Sequence, residues 1–257
     1  MIKFEIDPDS ALASKAKEVA ELIATEGLKF ESQEEMVVKV ADEATIHFDN
    51  SMMGNCFCID FTSQKLLWRL NHSGKSSEAV CRAVIGKLEN PIVFDATAGL
   101  GRESLILQSA GAQVYMFERN PIIWLLLNSA INKAQNENAF VSSLKHGLPV
   151  LTQLGSIKTQ LEKGNTIPAP DVIYYDPMFP SRTKSALVKK DMRVFHELIG
   201  ADEDTLEYAN YLCTVAKHHV VVKRPSNEEP LNLNIRRSSF VDGKACRFDC
   251  YYTNLDK

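Results

Sequence analysis

The chain has 257 residues, of which 45% are hydrophobic and 24% are charged, as in an ordinary globular protein. This length fits one moderately large domain, or a main domain with a small additional portion. No apolar run reaches the roughly 18 residues that a membrane span needs, and the first residues lack a signal-peptide pattern. We therefore expect a cytoplasmic protein that does not contact a membrane. The six cysteines and six histidines show no metal-ligand spacing, so we expect no metal.

The net charge of −4 does not by itself indicate a nucleic-acid partner, but the charges are unevenly distributed. Residues 1–50 hold five basic and twelve acidic side chains. Residues 182–193 and residues 217–247 each carry a balance of +4. This separation is compatible with one face that meets phosphate groups.

Residues 1–70 are predicted to form a small N-terminal α+β portion. A strand is predicted over residues 2–6, and Asp9 or Ser10 is suited to cap a helix that ends near residue 25. Further strands are predicted over residues 36–40, 45–48 and 56–61. Trp68 follows, and for this side chain we favour a place in the core or at an interface over stacking on a nucleic-acid base.

A buried-type strand and a glycine-containing turn follow in the chain. Residues 92–94 are apolar and β-prone, and Asp95 ends this strand. Gly99 and Gly101 lie in the next turn, and a helix is predicted from Glu103 onward. Free N–H groups at such a strand–turn–helix corner face a bound nucleotide. The third glycine of a dinucleotide-binding fingerprint is absent, and a tight turn without a ligand is the alternative.

The next predicted strand covers residues 113–117 and ends at Glu118. An acidic residue at this place can accept hydrogen bonds from the ribose hydroxyls of an adenosine. Glu118 lies 17 residues after Gly101, close to the spacing expected for that role. The alternative is a solvated charge at the end of a strand. A helix is predicted over residues 122–135, with Pro121 in its first turn.

A third buried-type strand, residues 171–176, ends in the sequence Asp-Pro-Met-Phe. This sequence resembles a variant of the Asp/Asn-Pro-Pro-Tyr/Phe motif of S-adenosylmethionine-dependent methyltransferases that act on exocyclic amines. Over roughly residues 54–252, longer strings resemble the bacterial 16S ribosomal RNA guanine-N2 methyltransferase family (RsmJ). The strings are Asp-Ala-Thr-Ala-Gly-Leu-Gly-Arg from Asp95, Glu-Arg-Asn-Pro from Glu118, Asp-Pro-Met-Phe-Pro from Asp176, Lys-Ser-Ala-Leu-Val-Lys-Lys from Lys184 and Val-Val-Val-Lys-Arg-Pro from Val220.

The resemblance implies a class I, Rossmann-like methyltransferase that uses S-adenosylmethionine to methylate the exocyclic N2 amine of a guanine. In the site that it implies, Asp176 accepts an N–H of the amine, the Pro177 carbonyl is a second acceptor and Phe179 stacks on the base. The cofactor lies at the C-terminal ends of the strands. The residues assigned to its binding are Asp95, Gly99, Gly101, Arg102, Glu103, Glu118, Arg119, Gly155, Ser156 and Asp176.

The implied partner is 16S ribosomal RNA of the small ribosomal subunit, held by basic side chains near the active site. A helix is predicted from Ser185 to about Leu198, and its positive charges fall largely away from its apolar positions. A solvated helix face is the alternative. Lys223 and Arg224 end the fifth predicted strand, where either could instead pair with an acidic residue of the fold. The RNA-binding candidates are Lys184, Lys189, Lys190, Arg193, Lys223 and Arg224.

The alternation of predicted strands and helices gives an α/β fold with a doubly wound sheet. We expect residues 71–257 to form the methyltransferase domain, next to the small N-terminal portion. Residues 240–241 and 248–252 are predicted to form a closing hairpin around a turn at residues 242–244.

Three other functions draw on some of the same features. A nicotinamide-dependent oxidoreductase would use the glycine turn, but it leaves Asp176 and Pro177 without an explanation. A methyltransferase that acts on DNA adenine or on a protein amide usually has two prolines in its motif, where this chain has Met178 after Pro177. A non-catalytic RNA-binding assembly factor could retain the fold. The sequence does not determine the oligomeric state.

Overall fold

The computed structural model describes residues 2–26, 35–48, 56–72, 74–177 and 204–253. Contacts within the chain divide these residues into two compact units. They are a smaller unit, with the described residues of 1–61 and 120–136, and a larger unit, with those of 62–119, 137–177 and 204–253. The domain boundary at residue 70 stays a prediction, while the contacts group the residues just before it with the larger unit.

Strands and helices alternate along most of the described chain. In order, the elements are β1 (Ile2–Ile6), α1 (Ala13–Glu26), β2 (Met36–Val40), β3 (Ala44–Phe48), α2 (Gln64–His72), α3 (Ala79–Val84), β4 (Ile92–Asp95), α4 (Arg102–Ser109), β5 (Gln113–Met116), α5 (Pro121–Gln135), α6 (Asn138–Ser143), β6 (Val150–Leu151), α7 (Ile157–Glu162), β7 (Val172–Tyr175), α8 (Thr205–Val215), β8 (His219–Pro225), β9 (Ser239–Asp242) and β10 (Cys246–Tyr252).

The smaller unit combines a three-stranded sheet with α1 and α5. In the sheet, β1 is parallel to β2, and β2 is antiparallel to β3. Alternate residues of β2 and β3 are buried, as expected for a sheet with one packed face. Val38 and Ile46 are paired across these strands and are fully buried.

Helix α5 begins at Pro121, which confirms the predicted place of this proline in the first turn. The Asn120 side chain caps the helix by accepting hydrogen bonds from two N–H groups of the first turn. The helix packs against α1 and β3. The N–H of Ala44 donates to the Ser129 hydroxyl at 2.7 Å, which ties the start of β3 to the helix.

The larger unit is built on a seven-stranded sheet with the strand order β6-β5-β4-β7-β8-β10-β9. The first five strands are parallel, whereas β10 runs antiparallel to both β8 and β9. This arrangement confirms the predicted α/β doubly wound fold and its closing hairpin. The chain reverses its direction of winding at β4, because β5 lies on one side of β4 and β7 on the other. Ligands of open α/β sheets bind at such a point, outside the C-terminal ends of the strands.

The core of the larger unit forms where β4, β7 and β8 meet helix α8. Phe94, Ile173 and Val220 come from these strands and are fully buried, and Tyr208 and Leu212 of α8 pack in the same cluster. Apolar runs such as those of β7 and β8 are typical of parallel strands that are covered on both faces.

The structure differs from the sequence-based prediction in several local elements. Residues 56–61 were predicted to form a strand. In the structure they form no continuous strand, and Phe57 makes only an isolated antiparallel bridge to Ile46. Helices α2, α6 and α7 were not predicted. In α7, Ser156 and Thr159 form a reciprocal capping box that starts the helix. Among the described residues, no helix has the length and apolar character needed to cross a membrane.

Candidate functional site

Three carboxylates that the motifs single out are brought together at one edge of the larger sheet. Asp95 ends β4, Glu118 follows β5, and Asp176 follows β7. These strands are direct neighbours and run parallel, with Asp95 opposite Met116 on one side and Tyr174 on the other. Neighbouring strands lie about 4.8 Å apart, so the three residues share one short stretch of the C-terminal edge.

The glycine turn connects β4 to α4 at this edge. Gly99 has φ of 55° and Gly101 has φ of 67°, a left-handed conformation that costs energy for residues with a side chain. Gly101 is the N-cap of α4, and its N–H donates to the Ala98 carbonyl at 2.7 Å. The turn therefore brings the N–H groups of the helix start to the ends of the strands, where such groups can bind an anion.

The Asp95 side chain lies beneath the turn and is only 1% exposed. The Ser104 hydroxyl donates to Oδ2 at 2.5 Å, and the N–H of Thr97 donates to Oδ1 at 3.2 Å. Burial raises the pKa of Asp95 to about 7, although these two hydrogen bonds act in the opposite direction. The geometry makes Asp95 a residue that holds the turn and the first turn of α4 in place.

The raised pKa of Asp95 predicts a pH-dependent stability. Its pKa is about 7 in the folded protein and near 3.8 in the unfolded chain, so the folded state binds the proton more tightly. The stabilisation from this proton is complete below about pH 4 and is lost as the pH rises to about 7. Across this range, the free energy of unfolding of the wild type should fall by about 4 kcal/mol relative to that of Asp95→Asn. Urea titrations at a series of pH values measure this difference, and parallel profiles would contradict the assignment.

Glu118 ties the glycine turn to the end of β5. Its carboxylate accepts the N–H of Gly99 at 2.9 Å, and its side chain is 7% exposed. Its backbone carbonyl also accepts the N–H of Gly155 at 2.9 Å, so the loop after β6 is attached to the same residue. Gly99, Glu118 and Gly155, three of the residues predicted to bind the cofactor, are therefore joined by hydrogen bonds in the structure.

Other residues predicted to bind the cofactor have partners within the protein. The Ser156 hydroxyl caps α7 through Thr159. The Arg119 guanidinium donates to Asp204 at 2.8 Å and lies over the ring of Tyr208. Arg102 and Glu103 occupy the first turn of α4, where Arg102 is exposed and Glu103 is partly exposed. These four side chains therefore lie on the segments that directly follow β4, β5 and β6.

Asp176 is held by two groups from different parts of the larger unit. The Lys223 ammonium donates to Oδ2 at 2.6 Å, and the Asp176 N–H donates to the Thr97 hydroxyl at 2.8 Å. Burial lowers the pKa of Lys223, but the carboxylates of Asp176 and Glu103 outweigh this effect, so the pKa is raised overall. Lys223 is therefore a permanent cation beside Asp176. Pro177, the next residue of the motif, is buried.

Lys223 and Arg224, two of the RNA-binding candidates, both pair with acidic residues of the fold. Besides the Lys223–Asp176 pair, the Arg224 guanidinium lies 2.9 Å from the Glu228 carboxylate and donates to the Glu229 carbonyl at 2.8 Å. Arg224 is 9% exposed. In this structure both residues therefore form ion pairs within the protein, which is the alternative to RNA binding that the sequence left open.

Several predicted site residues lie outside the described part of the chain. They are Phe179, Lys184, Lys189, Lys190 and Arg193. Their assigned roles stay predictions. Among the residues that are described, no group of three or more histidine, cysteine, aspartate or glutamate side chains could hold a metal ion.

Two hydroxyl residues of the site were missed by sequence reasoning. Thr97 fixes the backbone of Asp176, and Ser104 fixes the carboxylate of Asp95. Thr97 lies just before the glycines of the turn and Ser104 just after them. This closeness to the turn is the sequence feature that could have indicated a role in the site. Their partners could not be inferred, because Thr97 and Asp176 are 79 residues apart in the chain.

Residues 21–253 match the model of a family described as "Putative SAM-dependent methyltransferase". The chain is 42% identical over 196 residues to the ribosomal RNA small subunit methyltransferase J of Thioalkalivibrio sulfidiphilus, which covers 76% of this chain and 75% of that protein. The chain belongs to the methyltransferase J family. A relative of the same name from Photorhabdus laumondii is 39% identical, with 79% of this chain and 80% of that protein covered.

A solved structure agrees with this family membership. The crystal structure of a SAM-dependent methyltransferase from Neisseria gonorrhoeae matches 100% of this chain and 98% of its own, with a TM-score of 0.67 and 26% identity. The sheet order and these relatives identify the larger unit as a class I methyltransferase fold. The methyltransferase J family member described here is therefore an enzyme that uses S-adenosylmethionine.

Proposed function

We propose that this enzyme transfers the methyl group of S-adenosylmethionine to the exocyclic N2 amine of a guanine in 16S ribosomal RNA. Relatives with 39–42% identity carry the name of a ribosomal RNA small subunit methyltransferase. The observation that carries the chemistry is the position of Asp176, next to Lys223 and at the sheet edge that also holds the glycine turn. A protein that modifies ribosomal RNA works in the cytoplasm, where we place it.

The residues at the strand ends fit S-adenosylmethionine. Gly99 and Gly101 allow the left-handed backbone of the turn, and the start of α4 complements the carboxylate of the methionine portion. In this proposal Glu118 accepts the ribose hydroxyls, and Gly155, whose N–H donates to the Glu118 carbonyl, contacts the adenine. Because both Asp95 oxygens accept hydrogen bonds from the protein, we assign Asp95 to positioning the turn rather than to direct contact.

The amine of guanine is a poor nucleophile, because its lone pair is delocalised into the ring. The cofactor supplies an activated methyl group on a positively charged sulfur. The protein must therefore orient the lone pair toward that methyl group and stabilise the positive charge that develops on the nitrogen. A separate general base is not required, since the methylated amine loses its proton readily.

Asp176 performs this orientation in our proposal. A carboxylate can accept several hydrogen bonds, so an amine N–H can be bound while Lys223 occupies Oδ2. The Lys223 ammonium fixes the direction of the carboxylate, and Thr97 fixes its backbone. The Pro177 carbonyl is the second acceptor, and the motif assigns stacking on the base to Phe179.

The guanine must leave its base stack before its amine can reach Asp176. Enzymes that act on bases meet this requirement with an unpaired or flipped-out nucleotide. The RNA backbone is then held by positive charge, for which Lys184, Lys189, Lys190 and Arg193 remain candidates. Lys223 and Arg224 support the site through their internal ion pairs.

Methyl transfer from labelled S-adenosylmethionine to four substrates tests this proposal. The substrates are small ribosomal subunits from cells that lack the protein, naked 16S ribosomal RNA, DNA and bulk protein. We expect label in the small-subunit RNA, recovered as N2-methylguanosine. Label in DNA adenine or in protein amides would retain the cofactor and the fold but overturn the proposed substrate. Tight cofactor binding without label in any substrate would favour a non-catalytic assembly factor.

A further inference from the structure

The exposed face of α2 carries an aromatic side chain that the chemistry described above does not use. Trp68 is 63% exposed, more than any other large hydrophobic side chain found exposed among the described residues. The structure therefore excludes a place in the core for Trp68 and leaves the other expected place, an interface. Leu66, two positions earlier, is the buried anchor of the same helix, at 7% exposure.

The indole of Trp68 is held in a fixed orientation. The ring of His72, one turn further along α2, stacks on it with a centroid distance of 4.5 Å and an interplanar angle of 16°. The His72 ring is itself fixed, since Nδ1 lies 2.8 Å from the Trp68 carbonyl. A preoriented aromatic surface loses little conformational entropy when a planar ligand stacks on it.

The charge and polarity of α2 suit a nucleic acid. The helix contains no acidic residue, and Lys65 lies one turn before Trp68 and is exposed. Gln64 and Asn71 are also exposed. A surface for a protein partner would be expected to surround the tryptophan with aliphatic side chains, whereas polar and basic groups surround this one.

Helix α2 belongs to the same unit as Asp176. It packs against α4, whose first turn contains Glu103. Arg69, next to Trp68, donates two hydrogen bonds of 2.9 Å to Glu78. The Glu78 carboxylate raises the pKa of Arg69, and Glu103 adds to this effect while also raising the pKa of Lys223. The charge of Glu103 therefore acts on both Arg69, next to Trp68 in the chain, and Lys223, the partner of Asp176.

We propose that Trp68 stacks on an unpaired base of the RNA substrate close to the target guanine, with Lys65 at a neighbouring phosphate. This inference rests on the proposed RNA substrate. A flipped or unpaired guanine leaves adjacent nucleotides unstacked, and an exposed indole restores their stacking. Such stacking is tolerant of sequence, because every base has a π face.

Fluorescence and binding experiments on the full chain test this inference. The sequence has two tryptophans, so Trp124→Phe leaves Trp68 as the sole reporter. We expect a single-stranded RNA of about 12 nucleotides to quench the fluorescence of Trp68 in a saturable way. The same RNA in double-stranded form should quench it much less. In the wild-type background, Trp68→Ala should weaken binding of the single strand on the order of 10-fold, and Trp68→Phe should restore most of the affinity. Cofactor affinity and the melting temperature should stay unchanged and serve as controls.

The outcomes separate this inference from the proposed function. If the wild type methylates small-subunit RNA but Trp68→Ala binds single-stranded RNA with unchanged affinity, the stacking role is overturned and the function stands. If Trp68→Ala loses activity on assembled subunits alone, with no loss on naked RNA, Trp68 contacts a ribosomal protein and the stacking role is again overturned. Absence of RNA methylation by the wild type overturns the proposed function itself.

Discussion

Asp176→Ala should lower kcat for methyl transfer by about 100- to 1,000-fold while leaving the affinity for S-adenosylmethionine nearly unchanged. The variant removes the acceptor that orients the amine and stabilises its developing charge. It also leaves Lys223 without the carboxylate that lies 2.6 Å away. Asp176→Asn keeps one acceptor oxygen but loses the charge, so its kcat should lie between those of Asp176→Ala and the wild type. Single-turnover kinetics with excess enzyme measure the chemical step directly.

A matched control separates this effect from a general loss of carboxylate charge. Glu89 is exposed and precedes β4, at the opposite end of that strand from Asp95. Glu89→Ala should retain the wild-type kcat. Wild-type activity in Asp176→Ala, with cofactor affinity also intact, would remove Asp176 from the catalytic step.

Glu118→Ala should weaken binding of S-adenosylmethionine by about 10- to 100-fold, since hydrogen bonds to a charged group contribute about 1.5–3 kcal/mol each. The variant loses the proposed acceptor of the ribose hydroxyls. It also frees the N–H of Gly99, so the glycine turn loses a hydrogen bond of 2.9 Å. Isothermal titration calorimetry of the purified enzyme gives the dissociation constant.

Two further variants serve as controls for Glu118→Ala, one at the same position and one at a distant carboxylate. Glu118→Gln keeps an acceptor for the Gly99 N–H, so its loss of affinity should be smaller than that of Glu118→Ala. Glu162→Ala removes an exposed carboxylate of α7 and should bind the cofactor like the wild type. An unchanged dissociation constant for Glu118→Ala would show that the ribose lies elsewhere.

The positions of the acidic residues at the strand ends could be predicted, because each strand is recognised from its own short stretch of sequence. Apolar β-prone runs lead directly into Asp95, Glu118 and Asp176. Parallel strands of one sheet place their C-terminal ends at the same edge, so the clustering follows from the fold class alone. The turn was also predictable, because Gly99 and Gly101 mark backbone that needs a left-handed conformation.

The partners within the site could not be predicted from the sequence. For Lys223 the sequence left two alternatives, a phosphate of the RNA or an acidic residue of the fold, and it did not name that residue. In the structure the partner is Asp176, 47 residues earlier in the chain. Only the pairing of β7 with β8 brings these two residues side by side. Likewise, the exposure of Trp68 depends on which face of α2 is packed, and a short apolar segment does not reveal this.

The most direct test of the account is the nucleoside composition of 16S ribosomal RNA in a strain that lacks this protein. Mass spectrometry should show the loss of N2-methylguanosine from one site in that strain. The wild-type protein should restore the modification, whereas Asp176→Ala, expressed at the same level, should not. An N2-methylguanosine content that is unchanged by removal of the protein would contradict the account.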